Sequence, residues 1–220
     1  MRSLAVLWIF IRALASISNA EDAAGAAWLR LLQLARADLM LKFDHEKGVT
    51  FLQELTEAPD PNLADTAKAR QLKAQLIGKP LDLQFTALDG SSFDLRTLHG
   101  KVVLVDFWAS WCPDCIREMP AVRRTYQKYK DKGFAVVGIS LDKDAQALSN
   151  FVAKKLIPWP QYFDGQGWRN EFATKYGVHA IPERWLIDQR GDLVTTDISV
   201  EHLDQRIEQL MSLGDQLSRN

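Results

Sequence analysis

The chain has 220 residues but only two cysteines, Cys112 and Cys115, standing three positions apart. So few cysteines exclude a disulfide framework holding a small core together. A bridge across so short a loop removes little unfolded-state entropy, about 2 kcal/mol, and a long-range bridge would remove more. The spacing therefore points to chemistry rather than bracing. A zinc site is short of ligands. There is no second Cys-x-x-Cys, and His45, His99, His179 and His202 are scattered along the chain. A surplus of one charge sign is also missing: the net charge is −1, with no polybasic run and no acidic tail. Nothing in that balance favours nucleic acid or anionic lipid as a partner. No apolar run reaches the roughly 20 residues that a membrane-spanning helix needs.

What is present is an ordinary globular composition, 47% hydrophobic and 25% charged, in a chain long enough for one good core and a smaller extra segment. The N-terminus reads as an export signal. Arg2 supplies a positive start, Leu4 to Ile11 is apolar, and Ser18-Asn19-Ala20 offers small residues before Glu21-Asp22. Arg12 interrupts the apolar stretch. On this reading residues 1–20 are a signal peptide and the mature form has no transmembrane span. The protein would then work in the periplasm or another extracytoplasmic compartment of a bacterium.

Residues 21–78 read as a helical N-terminal segment. Trp28, Leu31, Leu32, Ala35 and Leu39 fall on one helix face. A short helix fits Val49 to Leu55, Pro59-Asp60-Pro61 interrupts, and a third helix starts near Asn62. Gly78 and Pro80 stop it.

Residues 79–220 read as one α/β domain. Leu81 to Thr86 and Ser92 to Leu95 flank Asp89-Gly90, a hairpin signal. Val102 to Trp108 and Phe134 to Leu141 are continuous runs suited to strands buried on both faces. Helical stretches follow at about Pro113–Lys130, Ala145–Leu156, Trp168–Tyr176 and Val200–Leu213. Further strands fit Pro182 to Asp188 and Leu193 to Thr196. Strands alternating with helices, then a hairpin and a last helix, predict a three-layer α/β sandwich.

Cys112 directly follows the first buried strand and opens a helix. Unpaired amides and the helix dipole there favour a thiolate, the attacking species in disulfide exchange. Cys112 is therefore the expected nucleophile. Cys115, one turn on, is the expected resolving cysteine. Asp106 interrupts an otherwise apolar strand; burial would raise its pKa toward the working range of an acid or base. The alternative is an Asp at a frayed strand end that reaches water.

The segment VVLVDFWASWCPDC (102–115) resembles the active-site segment of thioredoxins, and YGVHAIPERWLID (176–188) resembles the segment that carries their cis-proline. GKPLDLQFTALDGSSFDL (78–95), GKVVLVDFWASWC and GFAVVGISLD (133–142) are similar to the TlpA/ResA-like exported thiol-disulfide oxidoreductases. The resemblance covers roughly residues 78–197 and leaves out the helical prefix.

It implies a thioredoxin-like sandwich with an N-terminal β-hairpin extension. It places Pro182 as a cis-proline facing the cysteines, with Ile181 offering backbone to a bound substrate strand. Asp106 becomes the acid that takes the proton of the resolving thiol, and Glu118 an acid that tunes thiol reactivity. Trp111 becomes an apolar lip for docking a partner. No cofactor is implied beyond the Cys112–Cys115 disulfide itself, and no metal.

Three positions depart from the family pattern. Pro113-Asp114 stands between the cysteines where relatives usually have Pro second, so Pro113 and Asp114 are expected to tune the redox pair. Asp114 beside the thiols disfavours a thiolate, yet it also favours the helix start, so the two effects oppose. Glu183 and Arg184 follow the cis-proline where relatives often have Thr and an apolar residue. At the surface they would select charged partners. Trp108 reads as core, and Trp159, Trp168 and Trp185 as packing residues.

The leading expectation is an exported reductase of protein disulfides, re-reduced by a membrane-linked thiol donor. The same residues running in reverse would make a dithiol oxidant. A thiol peroxidase lacks support, because Val105 and Ala109 replace the Pro and Ser/Thr that setting requires. A copper-delivery or binding module would need both thiolates and a further ligand, for which His179 is the one candidate near the site.

Overall fold

The computed structural model describes residues 23–217, so the expected signal segment lies outside the described residues. The chain divides into two compact units, one ending at Ala74 and the other beginning at Gln75.

The first unit is built from α1 (Ala23–Phe43), α2 (His45–Leu55) and most of α3 (Pro61–Leu76). The carboxylate of Asp44 accepts from the Lys47 amide and caps α2, which therefore begins at His45 rather than at Val49. Asp60 Oδ1 likewise accepts from the Asn62 and Leu63 amides. Pro61 takes the first helical position of α3, where no donor is needed. The stripe expected to face inward on α1 is not the buried one. Trp28, Leu31 and Leu39 are exposed, whereas Ala37 is fully buried and Leu34 and Leu41 pack on Leu52, Leu55, Leu63 and Ala67. Apolar residues lie on more than one face of α1, so periodicity alone could not choose between them. Close approach chooses instead: a methyl on Gly48 would stand 2.5 Å from the Leu41 backbone nitrogen.

The second unit opens with an antiparallel hairpin, β1 (Gln84–Thr86) and β2 (Ser92–Asp94), in which Phe85 pairs with Phe93. Both strands are shorter than expected; β2 ends where Leu95 enters a 3-10 turn capped by Asp94. The main sheet holds β3 (Val102–Trp108), β4 (Phe134–Ser140), β5 (Gln161–Tyr162), β6 (Glu183–Ile187) and β7 (Leu193–Thr195). Its order is β5-β4-β3-β6-β7. β3, β4 and β5 run parallel, and β6 and β7 join antiparallel. Every residue of β3 is buried, as its continuous apolar run requires. β5 was not foreseen; two residues are too few to show a period.

The helices of this unit are α4 (Pro113–Tyr129), α5 (Ala145–Lys155), α6 (Glu171–Lys175) and α7 (Val200–Leu217). The single helix expected over Trp168–Tyr176 is split. Asn170 Oδ1 accepts from the Ala173 amide and starts α6 afresh after a 3-10 turn at Gly167–Arg169. Right-handed crossovers put α4 and α5 on one face of the sheet. There Trp108 meets Phe151 of α5, and Thr125 and Lys128 of α4 bond to Asp204 of α7. On the other face Trp185 meets Phe107 and Tyr176, and Phe172 of α6 meets Tyr162 and Phe85. This is the expected three-layer sandwich with its hairpin extension. Among the described residues no helix is long and apolar enough to cross a membrane.

Gly48→Ala discriminates between propensity and packing in the first unit. The alanine gains about 1 kcal/mol of helix propensity, but overpacking against a backbone atom costs about 1–3 kcal/mol. Limited proteolysis is expected to cleave residues 23–74 of the variant faster than in the wild-type chain. Slower cleavage would mean that the helices move apart at little cost.

Candidate active site

The chain leaves β3 at Trp108 and reaches α4 through Ala109-Ser110-Trp111-Cys112. Buried Asp142, just beyond β4, holds this loop. Its carboxylate accepts from the Ser110 amide at 2.9 Å, the Ser110 hydroxyl at 2.6 Å and the Ser140 hydroxyl at 2.7 Å. Cys112 caps α4, and its Sγ accepts from the Cys115 amide at 3.2 Å. Pro113 occupies the first turn, where its missing donor costs nothing. Cys112 and Cys115 are joined in a disulfide, with Cα atoms 5.3 Å apart. Cys112 is 4% exposed and Cys115 1%, so both are buried, Cys115 the more deeply. A negative charge forming on Cys112 would meet the amide end of α4.

Across from the pair, the Ile181–Pro182 peptide is cis. The Ile181 carbonyl lies 3.8 Å from Cys112 Sγ. Trp111 is half-exposed beside it. Its ring meets the edge of Trp168, at 6.2 Å between centroids, and Trp168 is itself half-exposed. Trp168 is thus not a packing residue as expected, because the 3-10 turn at Gly167 carries it outward. Trp108, Trp159 and Trp185 are buried as expected.

Asp106 is buried in the middle of β3 rather than at a frayed end. Its neighbour settles where one of the charges after the cis-proline goes. Arg184, two residues past the cis-proline, does not reach the surface to select a partner. It lies directly across from Asp106 between β3 and β6, in a central strand covered on both faces, and its side chain is 4% exposed. Its Nε faces Asp106 Oδ1 at 3.2 Å without hydrogen-bond alignment. Its Nη1 donates to Glu118 Oε2 at 2.7 Å. Burial pushes the Asp106 carboxyl up from 3.8 to about 6; the Arg184 charge pulls it down and the Glu118 charge pushes it up. Glu118 sits on α4 one turn past Cys115, so Arg184 ties β3 and β6 to the helix that carries both cysteines.

The remaining charges are less committed. Asp114 is exposed and pairs with Arg117 at 2.6 Å, an i,i+3 surface pair of small energetic weight. Glu183 accepts from the Trp185 indole at 2.7 Å. His179 is exposed. Among the described residues no group of three or more His, Cys, Asp or Glu side chains gathers as a metal site would. Sequence reasoning missed Arg184 and Asp142. The burial of the first follows from the pairing of β3 with β6, which its neighbours in the sequence do not show. Nothing local marked the second.

A fold of this kind with a Cys-x-x-Cys at a helix start defines a thioredoxin-like oxidoreductase. The Redoxin family model matches residues 58–211, and the chain belongs to that family. Within it the chain is TlpA/ResA-like and a thiol-disulfide oxidoreductase. It is 32% identical over 126 residues to the thiol-disulfide oxidoreductase ResA of Bacillus thuringiensis subsp. konkukian, covering 57% of this chain and 70% of that protein. It is 35% identical over 134 residues to ResA of Bacillus thuringiensis strain Al Hakam, covering 60% and 75%. Among solved structures, the thioredoxin domain of a thiol-disulfide oxidoreductase from Bacteroides vulgatus superposes with a TM-score of 0.56 at 27% identity. That match covers 61% of this chain and 97% of the other.

The raised pKa of Asp106 makes stability depend on pH. The folded state holds the Asp106 proton more tightly than the unfolded chain does. Its contribution is therefore complete below about pH 4 and is lost as pH rises through about 6. Asp106→Asn removes this loss. The variant is expected to be more stable than wild type at neutral pH, by about 3 kcal/mol, with the gap closing below about pH 4. Thermal unfolding of the oxidised protein across pH checks both the sign and the window.

Proposed function

We propose that this chain is an exported reductase of protein disulfides. Cys112 attacks an exposed disulfide in the partner and forms a mixed disulfide. Cys115 then attacks Cys112 Sγ and releases the partner's sulfur as a thiolate, leaving the Cys112–Cys115 disulfide. Asp106 accepts the proton that Cys115 gives up. Trp111 and the backbone at Ile181, beside Pro182, hold the partner segment. Export rests on the reading of residues 1–20, and in an oxidising compartment a membrane-linked thiol donor must restore the dithiol.

One observation carries the direction. Glu118, one turn past Cys115, and buried Asp106 of β3 set two carboxylates against the single cation Arg184. Net negative charge beside the pair disfavours a thiolate. A dithiol not stabilised as thiolate gives up its electrons readily. Asp114 adds little to this balance because Arg117 and solvent offset it.

The test is equilibration in graded dithiol and glutathione buffers. A Cys112–Cys115 potential near that of thioredoxin, about −270 mV, supports the reductase. A value near about −120 mV overturns it and puts the dithiol oxidant first. The roles of the two sulfurs are tested separately. Cys115→Ser is expected to accumulate a mixed disulfide with a disulfide-bearing protein, and Cys112→Ser to form none. Trapping by the second variant alone would exchange the assignments.

A further inference from the structure

Two carboxylates compete for the proton that leaves Cys115, and neither spacing nor burial alone says which one takes it. Arg184 distinguishes them. With Glu118 its guanidinium makes an aligned hydrogen bond at 2.7 Å, a charge-assisted contact of the strong kind. With Asp106 it makes a 3.2 Å approach in which neither Asp106 Oδ1 nor Arg184 Nε has a hydrogen-bond partner. The cation is thus committed to Glu118 and leaves Asp106 neutralised only in part. Both buried members are almost sealed from water, at 1% and 4% side-chain exposure, whereas Glu118 keeps 25%.

We infer that Arg184 is a positioning residue that assigns the proton of the resolving step to Asp106 and sets the pH at which that step runs. This rests on the proposed role of Asp106. In the step, Cys115 Sγ attacks Cys112 Sγ, the Cys112–partner S–S bond breaks, and the Cys112–Cys115 bond forms. The electron pair leaves with the partner's sulfur as a thiolate, and the Cys115 proton moves to Asp106. With both acids ionised the cluster is one charge negative; with the proton on Asp106 it is neutral. It has a place for one proton, and the free edge of that place is on Asp106.

Other charges lie near the same cluster. Arg117 on α4 lies 3.8 Å from Glu118. Glu201, exposed at the start of α7, is within electrostatic reach of Arg184. Both are solvated, so they act on the cluster more weakly than its buried members do on each other.

The experiment measures the rate of partner release from a preformed mixed disulfide at Cys112, against pH, in single turnover of the full chain. Arg184→Met is expected to move the pH midpoint upward by about one unit or more, since an opposite charge at this range is worth about that much. Arg184→Lys is expected to restore most of the wild-type midpoint. Glu118→Gln is expected to move it downward, because the cation is then freed toward Asp106. An unmoved midpoint in Arg184→Met overturns the inference. Should that variant fail to fold, unmoved midpoints in both Arg184→Lys and Glu118→Gln overturn it instead, since each changes how the charge is shared. Asp106→Asn separates the two levels. If it abolishes the titration while Arg184→Met leaves the midpoint in place, only the role of Arg184 falls. If the titration survives Asp106→Asn, the role of Asp106 falls with it.

Discussion

The site depends on a carboxylate placed where water cannot solvate it. Asp106 stands in the central strand of the sheet, with every neighbour along β3 buried. An isolated charge there would cost several kcal/mol, so the group either holds a proton or finds a cation. This chain leaves it between the two. Arg184 is close enough to ease the charge but is aligned with Glu118 instead. A carboxyl whose pKa is raised to about 6 is the consequence, and it is linked through Arg184 and Glu118 to the helix that carries the dithiol.

The rest of the second unit serves that placement. Parallel pairing of β3 with β4 brings the ends of both strands, and the start of α4, to the same end of the sheet. Asp142, reaching from the end of β4, fixes the connecting loop through Ser110, so Cys112 meets the helix start in capping geometry. The segment leading into antiparallel β6 comes from the opposite side and delivers two things within four residues. These are the Ile181 carbonyl beside Cys112 and the Arg184 guanidinium beside Asp106. One short segment therefore touches both the sulfur and the acid.

Much of this was legible in the sequence. The apolar run of β3, the Asp within it and the helix-opening Cys112 each carry a local signal and stand where that signal put them, and the cis Ile181–Pro182 peptide stands where the family resemblance placed it. What escaped was long-range. Arg184 stood out only as a charge where relatives often have an apolar residue; the pairing of β3 with β6 is what seals it. Asp142 acts across the sheet on a loop 32 residues away. On α1 the apolar residues outnumbered the positions that could be buried, and the choice among faces fell to the small contact at Gly48. Local chemistry was written in the chain, whereas the partners of charges were written in the topology.

The most direct measurement is the titration of the Asp106 side chain itself, by carbon-13 NMR of the aspartate carboxyls in the oxidised protein, assigned with Asp106→Asn. The account predicts one carboxyl resonance, absent from the variant, that titrates near pH 6. If that resonance instead titrates in the ordinary aspartate range near pH 4, the carboxylate is already satisfied in the folded protein. It could not then take the proton of Cys115, and the reading of the site would be contradicted.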